Sequence, residues 1–176
     1  MRKMLISMLF FCIPLTVCAA ETRDAAAFFN ETFGDFHEEL QNARDQGKKG
    51  ILLMFEMDEC PFCHRMKRTV LNQAAVQDYF HEHFLVFSVD TEGDIEITDF
   101  QGNPTTQKDF ALKQFRVRAT PVFQFVDLDG NPMPRGRYTG ATRDTDEFLW
   151  LGEYVVGGHA ETTTFTQFKK DRRAAQ

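Results

Sequence analysis

Residues 51–68 read ILLMFEMDECPFCHRMKR, and the reading of this stretch decides the fold. Ile51 to Phe55 is a continuous apolar run of strand length, which suits an inner strand buried on both faces. Cys60-Pro61-Phe62-Cys63-His64 follows at once. Two chemistries use that string: C-x-x-C-H attaches a covalent c-type haem, and C-x-x-C is a redox dithiol. Pro61 stands where proline is tolerated, in the first turn of a helix. Cys60 then falls at the N-cap and Cys63 one turn in. Residues three apart on a helix are neighbours, so the two sulfurs reach bonding distance. The free N–H groups and positive pole of the helix stabilise a thiolate at Cys60, leaving Cys63 as the resolving thiol. The expected asymmetry is one exposed nucleophile and one protected second sulfur.

On the N-terminal side, Phe29, Phe33, Phe36, Leu40 and Ala43 recur at helical spacing. They predict a helix from about Asp24 to Gln46, stopping at Gly47-Lys48-Lys49-Gly50. Beyond the cysteines the helical pattern runs through Val76, Tyr79 and Phe80, with a break near Asn72. Phe84 to Val89 reads as a second buried strand. Residues 91–104 are polar and form a hairpin-like excursion, and Thr105 or Thr106 caps a helix reaching Phe115. Val122 to Val126 is a strand that turns at Asp129-Gly130 into another around Gly136 to Thr139. Asp144-Thr145-Asp146-Glu147 starts a helix through Val156, ended by Gly157-Gly158. A last short helix carries Phe165 and Phe168. Strands joined by helices pair in parallel, and the final hairpin adds an antiparallel edge. The expected class is α/β: a mixed central sheet flanked by helices, with an inserted polar hairpin and a C-terminal helical extension.

The chain opens on Met1-Arg2-Lys3, an apolar run from Met4 to Val17, then Cys18-Ala19-Ala20 before polar Glu21. This is the layout of a secretory signal peptide cleaved after Ala20. The run is shorter than the roughly 20 residues that span a bilayer. A lipid anchor on Cys18 is the rival, weakened by bulky Val17 where a lipobox has a small residue. Export to the periplasm is expected, with residues 21–176 as one domain. Cleavage removes Cys12 and Cys18, so Cys60 and Cys63 alone remain. A ring closed over so few residues adds little loop entropy, which points to chemistry rather than stapling. Losing Arg2 and Lys3 takes the formal net charge from −6 to −8. No basic stripe suggests nucleic acid. The basic run Lys169-Lys170-Asp171-Arg172-Arg173 reads as a solvated helix end.

Thr120-Pro121 enters a strand after a helix, a place where a cis proline presents backbone beside a redox motif. Strand, CPFC, helix, and later ATPVFQFVDLDG followed by RYTGA together resemble the thioredoxin superfamily, over about residues 25–156. Within it the chain resembles the exported SoxW-like thioredoxins associated with bacterial sulfur oxidation. LLMFEMDECPFCHRM, RVRATPVFQFVDLDGNPMPRGRYTG and FLWLGEYVVGG with FTQF carry that likeness. The resemblance implies a thioredoxin-like fold in which Cys60 attacks, Cys63 resolves, and Thr120 before cis Pro121 contacts the backbone of a bound partner. It also implies a redox-active disulfide with no other cofactor. Thioredoxins proper carry a buried acid where this chain has Met54, and C-G-P-C where it has C-P-F-C. Glu56 and His64 are therefore the candidates for tuning the thiols. Phe62 is expected beside the site, either meeting an apolar client segment or packing on the neighbouring loop.

A c-type cytochrome needs apolar helices around the macrocycle and usually a second axial ligand. The strand running straight into the motif fits a dithiol site better than haem. Cys60, Cys63, His81 and His83 would make four zinc ligands, but His81 and His83 differ by two and do not face alike on a helix. No metal is expected. No nucleophile elbow or phosphate-cradling loop appears. The reading is an exported reductase of disulfides on other periplasmic proteins, with a sulfur-oxidation or cytochrome-maturation client. A membrane thiol-disulfide donor would recharge it. No dimerisation segment appears, so a monomer is expected. A thiol oxidase or isomerase of the same fold, and a client-binding or chaperone module with an idle dithiol, are the alternatives.

Overall fold

A computed structural model describes residues 21–175. The expected signal peptide with its cleavage after Ala20, and the rival Cys18 anchor, fall on residues 1–20, outside the described residues. Four strands form the main sheet in the order β2-β1-β5-β6. β1 (Gly50–Glu56) is an inner strand, parallel to β2 (Phe84–Asp90) and antiparallel to β5 (Val122–Val126). β6 (Pro132–Thr139) adds the antiparallel edge beyond β5. Gly50 opens β1 where only glycine fits: its φ is +156° and a Cβ there would stand 2.1 Å from the Val126 carbonyl oxygen.

Strand alternation divides the core in two. Leu52, Met54, Val86, Phe123 and Phe125 face one layer, packed on helices α2 (Pro61–Thr69), α3 (Ala74–His83) and α5 (Thr145–Val156). Ile51, Leu53, Phe55, Phe87, Val122 and Val126 face the other, packed on α1 (Phe36–Asp45) and on the helical stretch that contains Phe110 and Phe115. That stretch starts as a single turn, α4 (Gln107–Asp109), capped by the Thr106 hydroxyl, and widens into a π turn over Phe110–Gln114. The polar excursion contains a two-stranded antiparallel piece, β3 (Glu96–Thr98) against β4 (Pro104–Thr106). Asp99, almost fully buried, ties it: its carboxylate accepts N–H bonds from Gln101, Asn103 and Gln114. Burial works to raise its pKa, but those donors outweigh burial and hold it below the usual aspartate value.

Two expectations are corrected. The helix predicted from Asp24 does not form as one piece. A 3-10 turn, Ala25–Phe28, is capped by Asp24, and α1 starts only at Asp35, whose carboxylate accepts the Glu38 N–H. Between them Gly34 takes φ +88°, and Asn30 exchanges hydrogen bonds with Val86 on β2. Pairing to the sheet outweighs the helical spacing, and Phe33 ends up fully exposed instead of on the apolar face. The basic C-terminal run is not merely a solvated end. Helix α6 (Phe165–Ala174) is held to α5 by Lys169 on Glu147 and by Arg172 on Glu153, with Arg172 also over the Trp150 ring.

Candidate active site: a cysteine pair at a helix N-terminus

β1 ends at Glu56, and four residues later Cys60 caps α2. Its Sγ accepts the Cys63 N–H at 3.1 Å, and Pro61 occupies the first helical position, where a missing N–H costs nothing. The three-residue spacing brings the Cα atoms to 5.3 Å, and the two sulfurs form a disulfide. Both cysteines belong to the inner core cluster, at 2% and 1% exposure. The expected exposed nucleophile is thus absent from this oxidised state: with its sulfur bonded to Cys63, Cys60 is as buried as its partner. The exposed group at the tip is Phe62, at 60%.

The peptide bond between Thr120 and Pro121 is cis. Sheet register places it: Val122 pairs with Phe55, so the residues entering β5 lie beside the end of β1, from which the chain runs to Cys60. Thr120, with Arg118 and Ala119, lines a groove of about 430 Å³ together with Met57, Glu92 and Lys108. Met57 carries this groove to the loop that precedes the cysteines.

Glu56 lies on the same strand face as Met54, so the acid at 56 points toward the cysteine layer, one pleat further along. Its carboxylate is neither free nor solvent-directed. The side chain is 13% exposed, takes the Lys67 ammonium at 2.7 Å and accepts the Ser88 hydroxyl. Lys67 in turn lies over the Phe29 ring. From the sequence Lys67 counts among the basic residues after the motif that favour a Cys60 thiolate, but its pairing with Glu56 was not legible there, although Cys60, Cys63 and Lys67 recur at spacings of three and four on one helix face. His64 is exposed, and its Nε2–H donates to the Asp58 carbonyl at 2.8 Å, fastening the loop between β1 and Cys60. Arg65, another of those basic residues, donates to the Thr142 carbonyl at 2.7 Å and ties α2 to the loop before α5. His81 and His83 have other company on α3: His81 meets the Phe28 carbonyl, and His83 meets the Tyr79 ring edge-on. Among the described residues no group of three or more His, Cys, Asp or Glu is placed to hold a metal ion. None of the helices there is long and apolar enough to cross a membrane.

Comparison with curated proteins gives no match. Among solved structures, a thioredoxin-fold protein from Helicobacter pylori is similar at TM-score 0.61 and 18% identity, covering 86% of this chain and 96% of that one. A candidate disulphide-isomerase from Bacteroides thetaiotaomicron aligns at TM-score 0.56 and 25% identity, over 73% of this chain and 91% of its own. A thioredoxin from Thermus thermophilus aligns at 0.54 and 27%, over 69% and 84%. The model of a family described as a thioredoxin-like domain matches residues 36–156, which run from the start of α1 to the end of α5 and enclose the disulfide and the cis proline. Architecture, cysteine pair and sequence match coincide over that span, and the chain belongs to the thioredoxin-like domain family.

Proposed function

We propose that this protein is an exported thiol-disulfide oxidoreductase that reduces disulfides on other exported proteins. The carrying observation is the Cys60–Cys63 disulfide at the N-terminus of α2, one strand from the cis Thr120–Pro121 bond. In the reduced protein the first-turn N–H groups of α2 favour a Cys60 thiolate. That thiolate attacks one sulfur of the client disulfide. The client S–S bond breaks, a Cys60–client bond forms, and the other client sulfur leaves as a thiolate and takes up a proton. Cys63, deprotonated, then attacks Cys60 Sγ. The Cys60–Cys63 bond forms and the second client thiol departs, so two electrons have passed to the client.

Thr120 and the groove beside it are the seat for the client backbone in this reading, and exposed Phe62 meets an apolar client side chain. Glu56 and His64 act on the thiols through position: Glu56 as half of a charge pair under α2, His64 as the clasp on the preceding loop. A membrane thiol donor returns the electrons, and the client belongs to sulfur oxidation or cytochrome maturation, following the SoxW-like resemblance. Likeness to the Bacteroides candidate isomerase supports a second reading, disulfide oxidation or exchange on the same pair.

The deciding experiment is the equilibrium potential of the pair, by alkylation across a dithiothreitol series. A value at or below about −230 mV is expected for a reductant, whereas one near about −120 mV would reverse the direction of electron flow. Insulin-disulfide reduction unchanged by Cys60→Ser would overturn this reading, and client binding that survives Cys60→Ser in a protein that reduces no insulin would leave a binding module with an idle dithiol.

A further inference from the structure

β2 is an edge of the main sheet, and β1 is its one strand neighbour among the described residues. Amide side chains close parts of its outer edge. Asn30 donates its main-chain N–H to the Val86 carbonyl and accepts the Val86 N–H on Oδ1, both at 2.7 Å. Gln107 Oε1 accepts the Asp90 N–H at 2.6 Å. Alternate residues of a strand turn their main-chain groups to the same side. Ser88, between Val86 and Asp90, therefore offers its N–H and C=O outward. No main-chain or side-chain partner among the described residues meets them there.

An apolar socket lies beside this gap. Three large apolar side chains stand open to solvent among the described residues: Phe33, Phe62 and Ile95. Two of them, Phe33 and Ile95, rim a single cavity of about 190 Å³ that Phe36, Ile97 and Ser88 also line. The charge lining the adjoining groove has one sign. The larger groove continuing past Phe33 is lined by Glu31, Asp35, Glu38 and Glu39 and by no lysine or arginine. On the other side Ile95 stands between exposed Asp94 and Glu96.

We propose that the β2 edge captures an extended cationic segment of a partner protein through a single main-chain bridge at Ser88, the position left open between Val86, held by Asn30, and Asp90, held by Gln107. The segment bridges Ser88 in the parallel sense: the residue opposite Ser88 shares its side-chain face, and the next residue donates its N–H to the Ser88 carbonyl and turns its apolar side chain to the other face, between Phe33 and Ile95. Side chains two positions away share that face of the sheet, so lysine or arginine there meets the carboxylates. Positions one away turn to the opposite face, toward Glu56 and Lys67, which already satisfy each other. Charge selects this occupant over a second copy, because a chain of net charge −6 would meet its own acidic patch. The surface uses neither cysteine and stands whichever way the electrons run.

The probe is a capped peptide of lysine, threonine, phenylalanine, threonine and lysine, titrated into isotope-labelled protein and read by amide NMR. Shifts are expected at residues 30–35, 88 and 94–97. Phe33→Ser with Ile95→Ser should weaken binding about tenfold or more, and both side chains are exposed, so the fold is retained. Methylating the phenylalanine main-chain nitrogen removes pairing while keeping ring and charge, and should abolish binding. Added salt should weaken it. Absence of shifts at those residues, equal binding by the methylated peptide, or equal binding by a glutamate version would overturn the proposal. So would a dimer in sedimentation that the double variant dissolves, which would give the edge to a second copy.

Discussion

Cys60 and Cys63 are interchangeable in burial but not in position. Cys60 is the N-cap, with the helix N–H groups turned toward its sulfur, and Cys63 is a helical residue whose own N–H donates to that sulfur. Replacing Cys60 with serine should abolish insulin reduction. Cys63→Ser should instead accumulate a covalent client adduct, visible on a non-reducing gel and cleared by dithiothreitol, because the first attack proceeds and the second cannot. A further residue-scale prediction concerns Lys67. Lys67→Met leaves the Glu56 carboxylate, 13% exposed, with the Ser88 hydroxyl but no cation. A lost hydrogen bond to a charged group costs about 1.5–3 kcal/mol, and the urea midpoint should fall accordingly. Adding Glu56→Gln to that variant should recover part of the loss, since the stranded charge is then removed. The cysteine juxtaposition was legible from a spacing of three, whereas the Glu56–Lys67 pair depends on β1 and α2 being folded against each other.

At the scale of elements, α5 crosses α3 at Gly152, where an added Cβ would lie 2.6 Å from Tyr79 Cε1 and 3.0 Å from Phe80 Cζ. Two effects compete in Gly152→Ala. Alanine gains about 1 kcal/mol of helix propensity, but overpacking against two rings costs about 1–3 kcal/mol. The contact should win, lowering the melting temperature and disturbing α5 against α3. Asp144→Ala removes the carboxylate that accepts the Glu147 N–H at 2.9 Å and should cost about 1 kcal/mol in urea denaturation. That cap was readable, because Asp-x-x-Glu before an apolar run has a local cause. The start of α1 was not. Phe29 and Phe33 fit the helical spacing, yet Asn30 is drawn to the β2 edge, and no local signal in the sequence competes with a partner over fifty residues away.

At the scale of the whole molecule, α6 closes the layer over α5 through Glu147, 5% exposed, which takes the Lys169 ammonium and the Arg143 N–H. Burial pushes the Glu147 pKa up, but Lys169 and the Arg143 N–H outweigh it and leave it below the ordinary 4.5. A depressed carboxylate contributes stability above its unfolded value and loses it as pH falls through the folded one. The Glu147 contribution should therefore be constant with pH near neutrality and be lost below about pH 4.5 in thermal melts, and Glu147→Gln should lower stability at pH 7 while flattening that decline. The sequence by itself determined the apolar runs of β1, β2 and β5, the helix opened by Cys60-Pro61, the break near Asn72 and the cap at Asp144, since each depends on residues within a few positions of one another. Tertiary structure alone decided the order β2-β1-β5-β6, the burial of both cysteines, the docking of α6 and the exposure of Phe33 beside Ile95. Those outcomes depend on which surfaces meet after the chain has folded back on itself, and a sequence records that only through the residues at both ends of each contact.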